Sequence, residues 1–168
     1  MQLLPIDKKR YRKRLNRISV CSIVVLILLS LGSSALLIRL FADGQSSNFY
    51  FNLAGVIIAC IVVGFSLKRL KQHPYFSEVA YIWDLKHELN LIQRKLKAIE
   101  QAAANNNATA LLILAYSYAG SRLIWQLDDN TLVLSELNQA DNRLQQQIAD
   151  AGISIDITHY QRQLLAQF

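Results

Sequence analysis

The sequence predicts an all-α protein: an antiparallel two-helix hairpin that crosses a membrane, followed by a small cytoplasmic helical domain. Three observations carry this reading. Residues 18–38 and 49–67 are uncharged apolar runs. Between them lie only Arg39, Leu40, Phe41 and the turn-rich stretch 42–48 (ADGQSSN). From residue 75 onward, apolar residues recur at helical spacing. The expected organisation is a basic cytoplasmic segment at 1–17, the hairpin at 18–67 with an external loop at 42–48, and a cytoplasmic domain at 68–168.

Charge divides the chain in the same way. The net charge of +6 averages two unlike parts. Through His73, eleven Lys and Arg face two acids, a balance of +9; from Pro74 onward seven face ten, a balance of −3. A nucleic-acid-binding module carries its basic excess on the folded domain, so this distribution argues against nucleic acid as a partner. The N-terminal cluster is Lys8, Lys9, Arg10, Arg12, Lys13, Arg14 and Arg17. Beside an apolar run, such a cluster is attracted to the anionic cytoplasmic leaflet by about 1 kcal/mol per charge. Lys68, Arg69 and Lys71 follow the second run, while the loop holds only Asp43. Basic flanks on both outer ends place the N- and C-termini in the cytoplasm.

At about 1.5 Å per residue each run reaches roughly the 30 Å of a bilayer core. Ser33, Ser34 and Ala35 resemble a signal-peptide cleavage site, but Leu36, Leu37 and Ile38 continue the run beyond the usual length of about 7–15 residues. An uncleaved span is expected. Phe49, Tyr50 and Phe51 suit an interfacial aromatic belt, and Arg39 can snorkel to the outer headgroups. At about 100° per residue, Ser19, Ser22, Ser30, Ser33 and Ser34 share one arc of the first helix. Asn52, Gly55, Ala59 and Ser66 share one arc of the second. Gly55 and Ala59 form a small-xxx-small pair, which permits close backbone approach; the two faces are expected to meet.

Pro74 suits the first turn of a helix, expected to run to about residue 102. Ile82, Leu89 and Leu96 recur every seven residues, as do Leu85, Ile92 and Ile99. This is an a/d seam that packs on later helices or zips to a second copy as a coiled coil. Asn107 is placed to cap a strongly apolar helix over 108–127, the expected centre of the domain. Asp128, Asp129 and Asn130 form a turn. Ser135 is the expected cap of a helix with Leu137, Ala140, Leu144 and Ile148 on its buried face, and Gly152 its C-terminal stop. Asp156 suits the cap of a last short helix with Ile157, Tyr160 and Leu164 inward.

Chemistry-bearing motifs fail on inspection. His87-Glu88 opens like the His-Glu-x-x-His zinc motif, but Leu91 holds the second His position. Cys21 and Cys60 lie within the apolar runs, without ligand spacing. There is no phosphate loop or nucleophile elbow. No enzymatic activity, metal or cofactor is expected. Three stretches, MQLLPIDKKRYRKRLNRIS, HPYFSEVAYIWDLKHELNLIQRKL and SRLIWQLDDNTLVLSELN, together resemble a bacterial family of uncharacterised two-span inner-membrane proteins, a domain of unknown function. The resemblance implies the inner membrane and supplies no catalytic residues. The expected partners are the lipid bilayer and either another protein or a second copy of the chain. The expected role is a membrane-anchored interaction or scaffold module; the alternative is an accessory subunit or small homo-oligomeric channel component.

Overall fold

The computed structural model describes residues 2–42, 47–130 and 132–168, which are helical with no strand among them. Asp43 and most of the expected loop lie outside the described residues. The chain divides into two compact units: residues 9–80, and residues 81–168 together with the first eight residues.

The first unit contains α1 (Lys8–Phe41), α2 (Phe49–Leu70) and a 3₁₀ turn, Pro74–Phe76. Helix α1 begins well before the apolar run, so most of the basic segment is helical. At about 1.5 Å per residue α1 is about 50 Å long and α2 about 33 Å. Leu, Ile and Val support such helices when a tertiary or lipid environment covers them. Here cover is scant: of the most apolar stretch of each helix, only 6% and 11% is buried. Leu28, Leu31, Ile61 and Phe65 are all more than half exposed. Both helices are long and apolar enough to cross a membrane. The 3₁₀ turn is opened by His73, whose Nδ1 accepts from the Tyr75 N–H at 3.1 Å, with Pro74 in the first position, where no donor is needed.

The second unit is built around α5 (Ala108–Leu127), whose Leu111, Ile113, Tyr116 and Ile124 are buried. Asn107 caps it, its Oδ1 accepting from the Ala110 N–H at 3.0 Å. Helices α4 (Leu96–Ala104) and α6 (Leu134–Asp150) pack on α5. Gly120 admits α3 (Ser77–Arg94): a methyl group there would lie 3.2 Å from Leu89 Cδ2. Leu137, Leu144 and Ile148 form the buried stripe of α6, with Ala140 half-buried. Gly152 ends that helix in the left-handed region (φ 65°).

Three expectations are revised. The helix after Pro74 is not continuous to residue 102: it breaks at Lys95, whose Nζ donates to the Leu165 carbonyl at 2.8 Å. The heptad seam is therefore divided between α3 and α4. Helix α6 begins at Leu134, with Val133 as its cap and no side-chain bond from Ser135. After Asp156, whose carboxylate accepts from the Thr158 N–H at 2.8 Å, the chain forms two 3₁₀ turns, Ile157–His159 and Arg162–Gln167. Tyr160 and Leu165 are buried; Leu164 is only half-buried.

Candidate interaction surfaces

Helices α1 and α2 meet through small residues. Gly55 and Ala59 are buried, and a methyl group on Gly55 would lie 2.8 Å from the Ser34 backbone nitrogen and 2.9 Å from the Ser30 carbonyl oxygen. Only hydrogen fits there. Beside this contact, the Ser34 hydroxyl donates to Asn52 Oδ1, so a polar pair lies next to the closest approach. Ser30 and Ser33 are half-buried, whereas Ser19 and Ser66 are exposed. The serine arc is thus only partly covered. Toward the basic ends of the helices their side chains part around a cavity of about 380 Å³, with Ser22 and Val25 on one wall and Val63 and Ser66 on the other.

The basic segment is less uniform than its sequence. Glu78, buried at the start of α3, takes Arg10 and, at 3.4 Å, Arg14. Its position in the first turn is favoured by the helix dipole. Arg14 also lies over the Tyr75 ring, 5.1 Å from its centroid. Lys8 pairs with Asp129. These three cations therefore serve internal contacts. Lys9, Lys13, Arg17 and Lys68 are exposed and have no ion pair among the described residues. Arg69 stacks over Phe65 at 5.6 Å; Arg12 is exposed and Lys71 half-buried.

In the second unit Ile82, Leu85, Ile92 and Ile99 are buried, and Leu89 and Leu96 half-buried. This face packs inside the unit. Trp83, beside it, remains 42% exposed. Polar contacts tie the elements together: Arg122 to Asp141 at 2.6 Å, Lys86 to Asp128 at 2.7 Å, and Gln147 Nε2 to the Ala103 carbonyl at 2.6 Å. Asp128 and Asp129 follow α5, Asp129 in the left-handed region (φ 56°).

Sequence spacing did not reveal a buried polar cluster in this unit. Glu88 is buried on the apolar face of α3, accepting from the Tyr160 hydroxyl at 2.8 Å and from Arg162 Nε at 2.8 Å. The Tyr160 ring stacks on Tyr116, centroids 3.9 Å apart. Burial by itself would raise the Glu88 carboxyl, but the bonds from Arg162 and Tyr160 outweigh it and hold the group below its ordinary value of 4.5. Burial, and then the bond to Glu88, push the Tyr160 phenol up; burial does the same to Tyr116. The available signal was a carboxylate among Leu85, Leu89 and Ile92, a position that demands a partner. Among the described residues no group of three His, Cys, Asp or Glu side chains is placed to hold a metal.

Two outcomes follow from this geometry. Gly55→Leu lowers the stability of the detergent-solubilised protein by about 1–3 kcal/mol through overpacking, read as a fall in thermal midpoint. Gly64→Ala, in open space, stays within about 0.5 kcal/mol. For Glu88, a folded value below 4.5 means stability that is present above that pH and lost as pH falls through the folded value. Denaturation against pH tests the sign: Glu88→Gln removes this acid-dependent component.

No curated protein and no solved structure matches the chain. One family model does, over residues 1–165. By that match the chain belongs to the family described as "Protein of unknown function (DUF3087)".

Proposed function

We propose that this protein is an integral protein of the bacterial inner membrane that anchors a small helical interaction module at the cytoplasmic leaflet. In this reading α1 and α2 are a transmembrane hairpin, residues 42–48 lie outside, and both termini are cytoplasmic. The observation that carries it is the exposure of α1 and α2: the core helix of a water-soluble domain is mostly buried, whereas these bury 6% and 11% of their most apolar stretches. So much contiguous apolar surface in water is unfavourable at roughly 25 cal/mol per Å². Lipid removes that cost. The cations Lys9, Lys13, Arg17 and Lys68 flank the same ends of the two helices, which supports the orientation.

The second unit supports binding over catalysis. Asp128, Asp129 and Asp141 are engaged in ion pairs and Asp156 in a cap, and Glu88 is closed off by Tyr160 and Arg162. The module works by contact, with another protein or with a second copy. The alternative role, as an accessory subunit or channel component, draws less support. Gly55 and Ala59, the small face through which α2 would contact a span of another protein, are buried, and Gly55 is closed off by Ser30 and Ser34 of α1.

Purification from native membranes in mild detergent, with the mass of the complex read by native mass spectrometry, tests this reading. A stoichiometric partner or a defined homo-oligomer is the expected result. A monomer without a companion contradicts it.

A further inference from the structure

Where α1 and α2 part, they leave a cavity whose lining is almost wholly apolar, within the roughly 300–1,000 Å³ range of ligand sites. It extends from Val25 to Arg17 along α1, about 12 Å, and from Val63 to Leu70 along α2, about 10 Å. Tyr75 and Phe76, from the 3₁₀ turn, line the same end as Arg17. The site is therefore polarised along the helix axes. One end is hydrocarbon throughout; the other carries a guanidinium and a ring of amphipathic character.

The charges explain why Arg17 matters. Arg10 and Arg14, on the preceding turns of α1, are taken by Glu78. Arg17 lines the cavity and has no carboxylate partner among the described residues. An anion at the rim would complete it, and a chain of methylenes would fill the space behind. A guanidinium binds phosphate oxygens in a fork.

We propose that the cleft between α1 and α2 is a binding site for one anionic phospholipid, its phosphate on Arg17 and an acyl chain between Val25 and Val63. This rests on the membrane reading above. The occupant is a lipid rather than a soluble phosphate, because the apolar part of the cleft gives a bare anion nothing to bind. Close packing at Gly55 accounts for the cleft. The backbones approach at Gly55, and the cavity lies at the other end, between Ile18, Ser22 and Val25 of α1 and Val63, Ser66 and Leu70 of α2.

The test uses the full-length protein reconstituted into vesicles of phosphatidylglycerol and phosphatidylcholine in equal parts. It is then extracted in mild detergent, and retained lipid is read by native mass spectrometry. The wild type is expected to keep one phosphatidylglycerol in preference to phosphatidylcholine. Arg17→Gln lowers that preference at least five-fold, and Ser66→Trp, which fills the cleft, abolishes retention. Equal retention of the two lipids, retention of neither, or retention unaffected by Ser66→Trp would overturn the site. Carbonate extraction of each variant reports membrane insertion separately. A protein released by carbonate contradicts the membrane reading itself, whereas an inserted protein without selective lipid contradicts only the site.

Discussion

The interaction on which the structure depends is between the apolar surfaces of α1 and α2 and whatever surrounds them. These helices satisfy their own backbone hydrogen bonds, which is what a segment in hydrocarbon must do. They bury little of their side-chain surface against protein. Their closest approach is at Gly55 against Ser30 and Ser34, with Ala59 also buried. Such a contact draws on the close packing that small residues permit and on the Ser34–Asn52 hydrogen bond.

Electrostatics then separates two uses of one basic segment. A run of cations along one helix is mutually repulsive, and Glu78 relieves part of it by taking Arg10 and Arg14. Lys9, Lys13 and Arg17 remain exposed and without an ion pair among the described residues, and in the proposed membrane reading they face anionic headgroups. In the second unit the corresponding device is Glu88. A buried carboxylate is tolerable only because Tyr160 and Arg162 complete it, and in doing so it fixes the C-terminal 3₁₀ segment against α3.

The features readable from sequence are those set by nearby residues. The two apolar helices follow from composition, Asn107 and Gly152 from the short-range chemistry of helix ends, and the apolar character of α5 from its own twenty residues. The features that escaped depend on residues far apart. Lys95 is a good helix former, and what accompanies the break there is a bond to Leu165, seventy residues on. Glu88 meets Tyr160 across a separation of 72. Arg10 and Arg14 look like surface charge until the turn at Pro74–Phe76 brings Glu78 back to them. The heptad spacing of Ile82 to Ile99 was visible, but not its division between two helices that pack within one unit.

The measurement that bears most directly on the central claim is site-specific labelling in spheroplasts. With Cys21 and Cys60 replaced by serine, single cysteines at the exposed positions Ser47 and Ser154 are treated with a membrane-impermeant maleimide. The account predicts that Ser47→Cys is labelled in intact spheroplasts and Ser154→Cys only after the membrane is opened. Labelling of both in intact spheroplasts, or the reverse pattern, would contradict a hairpin that presents its helical module to the cytoplasm.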